Sequence, residues 1–138
     1  SERHVIHNAH ALAQWTPARI KNLSQRQWAL LSSVILLAKI PAVIAYVTCA
    51  LTNSENDAVI ARAIKKYGET ITVLPAHEIA QKIIDTGFLD RSGYTTTSLD
   101  YTDAKVQFET MLYGISILPD TSHGAGPLYI ALLLKAEH

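Results

Sequence analysis

The sequence predicts an α/β fold, a partial sheet with flanking helices and a closing pair of strands. Three observations carry this. Apolar residues recur at helical spacing through 17–38, and the β-rich run "AVIAYVT" (42–48) follows. A second helical pattern and a short strand come next, around "NDAVIARAIKKY" (56–67) and in "ETITVLP" (69–75). Two strand-like stretches then close the pattern, "YGISILPD" (113–120) and "GPLYIALLLKA" (126–136), with the glycine-containing "DTSHGAG" between them.

Each element has a local cause. Residues 3–16 are polar and histidine-rich, with weak helical spacing. Thr16 is a candidate cap and Pro17 suits the first turn of a helix, whose apolar stripe runs through Ile20, Leu23, Gln27, Leu30 or Leu31, Val34 and Leu37. Pro41 ends that helix, and Val43–Thr48 reads as a strand buried on both faces, as in a parallel sheet. Asn53 or Ser54 is expected to cap the next helix, with Ser54 and Asp57 as a weak capping box and Val59, Ile60, Ala63, Ile64 and Tyr67 as the apolar face. Gly68 is the expected stop. After the strand at 69–75, "AHEIAQKIIDTG" (76–87) reads as a short helix ending at Gly87. Residues 88–110 carry no assignable pattern.

Bulk properties narrow the function. The 138 residues have the length of one domain, and 49% of them are apolar, enough for a core of normal density. Twelve basic and twelve acidic side chains cancel, so composition alone gives no electrostatic reason to expect nucleic acid or a membrane surface. One cysteine, Cys49, excludes an internal disulfide and suits a reducing compartment. No cationic, apolar leader opens the sequence, so export through a signal peptide is not expected. The run "WALLSSVILLAKIPAVIAYVTCAL" (28–51) has the length of a membrane span, but Lys39 and Pro41 interrupt it and the residue types change there. It reads as helix, turn and strand.

Cys49 sits where a strand gives way to a polar loop and a helix start. In open α/β sheets chemistry collects just beyond the carboxyl ends of strands. The unpaired N–H groups of a helix starting near residue 53 would add a positive potential, which favours thiolate over thiol. An unpaired cysteine is also among the most buried residue types, so an inert filler is the competing reading from topology.

The stretch "AYVTCALTNSENDAVI" (45–60) resembles the signature of the Sun-domain (Fmu) family of RNA cytosine-5 methyltransferases. Tyr46, Thr48, Cys49, Leu51, Glu55 and Asn56 stand in its register. Upstream, "LSQRQWALLSSVILLAKI" resembles the family helix that carries a Gln before a Leu-Leu pair, here Gln27, Leu30 and Leu31. Downstream, "ISILPDTSHGAGPLYIALLLK" resembles the family's ending, in which a short strand reaches a proline and a final strand delivers an aromatic and a basic residue. Gly126-Pro127-Leu128-Tyr129 and the opening "SERHVIHN" are most similar to the mitochondrial branch. Two positions depart: "IPA" (40–42) replaces Pro-Gly-Gly, and Ala50 replaces the serine after the cysteine.

The resemblance implies the C-terminal half of a Rossmann-like class I methyltransferase fold, with residues 1–138 as part of one catalytic domain. It implies that Cys49 is the nucleophile that adds to carbon-6 of a cytosine in rRNA or tRNA, with Thr48 as its positioning neighbour. It further implies S-adenosylmethionine as methyl donor, bound mostly by residues outside this chain, because no glycine-rich cofactor turn and no acidic strand end are assignable. The family's Asp-x-Pro-Cys motif would lie just before Ser1. Expected partners are therefore an RNA substrate and the N-terminal half or an equivalent chain, with self-association of the isolated half, which alone is expected to be inactive. No membrane partner is expected, and the location is expected to be intracellular, in the mitochondrion by subfamily likeness. The alternative is a non-catalytic relative that keeps the fold as an RNA-binding or ribosome-assembly module.

Other candidates read as structural. His4, His7 and His10 drift around a helix and lack a carboxylate or thiol to complete a metal set, so no metal is expected. His123 reads as a surface residue. Arg19, Lys21 and Arg26, and likewise Arg62, Lys65 and Lys66, read as solvated helix faces rather than RNA contacts. Trp15, Trp28 and Tyr129 are expected to pack.

Overall fold

The computed structural model describes residues 8–86, 107–122 and 126–136. Helix α1 (Ala9–Ala13) is capped by the Asn8 side chain, which accepts from the N–H groups of His10 and Ala11. Helix α2 (Pro17–Leu37) starts as expected, with Pro17 in the first turn and Thr16 Oγ1 accepting from the Arg19 N–H at 3.3 Å. Its last turn holds no basic residue of its own. The ammonium of Lys135 supplies one from strand β5 (Leu128–Lys135), donating to the carbonyls of Ile35 at 2.7 Å and Ala38 at 2.8 Å. A cation at the negative end of a helix is favourable by the same logic as a local cap.

After a turn that contains the cis Ile40–Pro41 bond come β1 (Ala42–Thr48) and a 3₁₀ turn at Asn53–Glu55. Helix α3 spans Asp57–Tyr67, followed by β2 (Ile71–Val73) and α4 (Ala76–Asp85). The strands β3 (Glu109–Thr110) and β4 (Ile115–Ile117) precede β5. The N-cap position of α3 is Asn56, not Asn53 or Ser54, and no side chain caps the helix, so the expected capping box does not form. Gly68 does stop it, its N–H bonding to the Ile64 carbonyl. The expected stop of α4, Gly87, and most of the unassigned stretch lie outside the described residues; within it, Glu109 and Thr110 pair with β4.

Strand β5 is the centre of the sheet. Along one side it pairs antiparallel with all of β1, from Ala42↔Lys135 to Thr48↔Tyr129. Its other side pairs antiparallel with β4 through Ile117↔Leu128 and Ile115↔Ile130, and further along with β2 through Ile71↔Lys135 and Val73↔Leu133. Because β1 and β2 both run antiparallel to β5, they run parallel to each other. The closing pair thus forms, but its last strand inserts between the first two.

Helices α2 and α3 cover one sheet face, burying Leu31, Ile35, Val59, Ile60 and Ala63 against Ile44, Tyr46, Ile71, Tyr129, Ala131 and Leu133. Helix α4 covers the other face over β4 and β5, placing Ile79 and Ala80 against Ile115, Ile130 and Leu132. The expectation that β1 is buried on both faces is not met. Ile44, Tyr46 and Thr48 point inward, whereas Val43 is 67% exposed and Val47 52%. Their register partners Leu134 and Ile130 share that face, and α4 reaches Ile130 but not Val43 or Val47. The outer edge of β1 pairs with no strand among the described residues.

Candidate active site

Thr48 and Cys49 lie at the carboxyl end of β1, where strand becomes loop. Cys49 is a free, partly exposed thiol. The bonds around it join its two neighbours. Thr48 Oγ1 donates to Asn56 Oδ1 at 2.6 Å and accepts from the Ala50 N–H at 3.3 Å. Asn56 Nδ2 in turn donates to the Ala50 carbonyl at 2.9 Å. Thr48, Ala50 and Asn56 are all buried, so each bond is sheltered from water.

The residues flanking Asn56 are fixed as firmly. Glu55 is buried; its carboxylate accepts from Gln27 Nε2 at 3.0 Å and Thr52 Oγ1 at 2.8 Å, and its carbonyl accepts from the Tyr46 hydroxyl at 2.6 Å. Asp57 takes the Leu112 N–H on Oδ2 at 2.9 Å, and on Oδ1 the Tyr113 N–H at 3.2 Å and the Tyr129 hydroxyl at 2.6 Å. A buried carboxylate needs such partners to offset its lost hydration. Burial pushes the Tyr46 phenol up, with the Glu55 charge adding to it. Burial also raises Tyr129, followed by its bond to Asp57 and that group's charge. Both phenols are thereby held as neutral donors.

An open groove of about 280 Å³ runs between α2 and the outer edge of β1 and reaches Thr48 and Cys49. Gln27, Leu30 and Val34 line its helix side, with Leu30 69% exposed. Gln27 Oε1 is buried and has no hydrogen-bond partner among the described residues.

The structure therefore brings Gln27, Tyr46, Thr48, Glu55 and Asn56 together around the Cys49 loop. Leu31 joins the core, while Leu51 stays exposed. Asp57 reads in the sequence only as a helix-start residue, and its link to Tyr129 spans 72 positions, beyond any local pattern. The final strand's aromatic and basic residues, Tyr129 and Lys135, act as long-range bonds to Asp57 and α2.

The other candidates fall elsewhere. Trp28 stacks on Tyr67 at a centroid distance of 6.2 Å, with the Arg62 guanidinium 4.4 Å from its ring and the Lys66 ammonium 5.6 Å away. These cations cover an aromatic as well as facing solvent. Trp15 is exposed, contrary to expectation, because α1 beside it buries nothing. Arg19 Nη1 donates to Gln14 Oε1 at 3.3 Å, and Lys21 and Arg26 are exposed. His4, His7 and His123 lie outside the described residues, and His10 is exposed. Among the described residues no group of three or more His, Cys, Asp or Glu side chains gathers as a metal site, and no helix is long and apolar enough to cross a membrane.

The sheet order, with helices on both faces, matches part of a solved methyltransferase structure. A methyltransferase homolog protein from Pyrococcus horikoshii shares that fold at a TM-score of 0.51 and 20% identity, over 88% of this chain and 33% of that one. The present chain thus spans about a third of that structure's length. The family described as 16S rRNA methyltransferase RsmB/F matches residues 1–134. The chain belongs to the RsmB/F methyltransferase family.

Proposed function

We propose that residues 1–138 form the C-terminal part of one catalytic domain that methylates carbon-5 of a cytosine in small-subunit rRNA, with Cys49 as nucleophile. The observation that carries the reading is the placement of a partly exposed Cys49 at the end of β1, between two neighbours held by one buried ring of hydrogen bonds. Family membership supports rRNA as the substrate class.

The Cys49 thiolate adds to carbon-6 of the target base, forming a carbon–sulfur bond and moving the ring's π pair toward carbon-5. The base must leave its stack to reach the thiolate, and the partly exposed position of Cys49 at a groove end suits a flipped nucleotide. Once carbon-5 carries the methyl group, a base, water at the least, takes the carbon-5 proton, the freed pair restores the 5,6 double bond, and the carbon–sulfur bond breaks to release Cys49 as thiolate. Thr48 and Ala50 hold the loop still while this occurs.

S-adenosylmethionine supplies an electrophilic methyl in this family. The described residues do not fit a pocket for it: the groove beside Cys49 is walled on its helix side by Gln27, Leu30, Leu31 and Val34, and its lining holds no carboxylate for ribose hydroxyls and no glycine-rich turn. The donor is assigned to residues outside this chain. An N-terminal part of the catalytic domain, or an equivalent chain, would cover the outer edge of β1 and the exposed Val43 and Val47, which in isolation favour self-association. Residues 1–138 alone are accordingly inactive. Likeness to the mitochondrial branch supports a mitochondrial location, which fractionation of a tagged full-length protein tests.

The test of activity is methyl transfer from radiolabelled S-adenosylmethionine to small-subunit rRNA by the full-length protein. Label recovered as 5-methylcytosine, and lost in Cys49→Ala, supports the enzyme. A folded, RNA-binding protein that transfers no label favours the non-catalytic assembly module instead.

A further inference from the structure

We infer that Asn56 is a positioning residue for Cys49, acting through Thr48 and Ala50. The inference rests on the reading of Cys49 as the nucleophile.

Asn56 occupies the N-cap position of α3, where an Asn side chain ordinarily accepts from an N–H of the first turn. Here it makes no such bond. Its two functional ends turn the other way: Oδ1 accepts from Thr48 and Nδ2 donates to Ala50. A residue serving helix stability alone would keep the cap. This one forgoes it to span the residues on either side of the thiol.

The ring needs an amide. An aspartate in the same place would still accept from Thr48, but it would set a carboxylate oxygen against the Ala50 carbonyl and lose the donor. An alanine would leave Thr48 Oγ1 and the Ala50 carbonyl buried with one partner fewer. The anchor itself is fixed on both sides, since Glu55 is bound to Gln27 and Thr52, and Asp57 to Leu112, Tyr113 and Tyr129. A loop held from such a point presents its thiol at one place, and misplacement of a reacting group by about 1 Å can cost on the order of a hundredfold in rate.

The experiment measures single-turnover adduct formation between the full-length protein and RNA carrying 5-azacytidine, in which nitrogen at ring position 5 blocks release. Wild type is compared with Asn56→Ala, Thr48→Val, Thr48→Ser and the Asn56→Ala/Thr48→Val double variant, and RNA affinity is measured in parallel. Asn56→Ala and Thr48→Val should each slow the adduct about ten- to a hundredfold with RNA affinity unchanged. The double variant should be no slower than the slower single one, because one ring is broken in all three. Thr48→Ser, which keeps the hydroxyl, should recover most of what Thr48→Val loses. Should Asn56→Ala fail to fold, Asn56→Asp takes its place, since it keeps the acceptor for Thr48 and removes only the donor to Ala50, and a wild-type adduct rate in it overturns the inference. Multiplicative losses in the double variant overturn it as well. Absence of any adduct in RNA-binding wild type removes the nucleophile reading, and the positioning role falls with it.

Discussion

The Tyr129 hydroxyl donates to Asp57 Oδ1 at 2.6 Å, tying the central strand to the first residue of α3 across 72 positions of sequence. Because Asp57 follows Asn56, this bond holds the base of the ring that frames Cys49. Tyr129→Phe removes the donor and leaves a buried carboxylate with one partner fewer. Bonds to charged groups contribute about 1.5–3 kcal/mol, so urea denaturation should show a loss of that size. Asp57→Ala, which breaks all three bonds, should cost more than Tyr129→Phe in the same assay.

The tyrosines should titrate in two classes. Tyr46 and Tyr129 are raised by burial above the ordinary phenol value of 10.0. A group raised on folding contributes stability that is complete below its unfolded value and lost as pH climbs through its folded one. Stability should therefore fall above pH 10.0, and in Tyr129→Phe the slope there should be shallower by about one proton. The half-buried Tyr67 is lowered, by its hydrogen bond with Ser32 first and then by Lys66. Absorbance at alkaline pH should show Tyr67 ionising ahead of the buried pair, which ionise only with unfolding.

Lys135 offers a cleaner test of helix capping, because its ammonium bonds two carbonyls at the end of α2 from a distant strand. Lys135→Met keeps the apolar stem and removes the donors. Thermal denaturation should register a loss of about 1–2 kcal/mol.

Gly114 packs against the same tyrosine that anchors Asp57. A Cβ there would lie 2.5 Å from the Ile130 carbonyl oxygen and 2.7 Å from Tyr129 Cζ. Gly114→Ala should push the ring away from Asp57 at a cost of about 1–3 kcal/mol. Combined with Tyr129→Phe it should cost less than the sum, since both variants weaken one bond.

Much of the fold is legible in the sequence where local causes act. Thr16-Pro17 sets the start of α2, and Gly68 the end of α3, because caps and stops depend on neighbouring backbone. The face exposure of β1 is not legible. Val43, Ala45 and Val47 are as apolar as Ile44 and Tyr46, so alternation is invisible, and only the placement of α4 shows which side stays open. At the site, the resemblance to the family signature points to Thr48, Cys49, Glu55 and Asn56, but what each of them binds does not follow from it. Asn53 and Ser54 are ordinary cap residues, and they mislead because Asn53–Glu55 form a separate 3₁₀ turn ahead of α3, whose N-cap position is Asn56. Asp57–Tyr129 and Lys135–Ala38 depend on β5 inserting beside β1, a fact of tertiary topology.

The central claim, that Cys49 is the nucleophile, is tested most directly by identifying the protein side of the adduct. Full-length protein trapped on RNA containing 5-azacytidine would be digested and its cross-linked peptide sequenced by mass spectrometry. The account predicts a nucleotide mass on Cys49, and no adduct in Cys49→Ala. A cross-link at another residue, or one that survives Cys49→Ala, would contradict it.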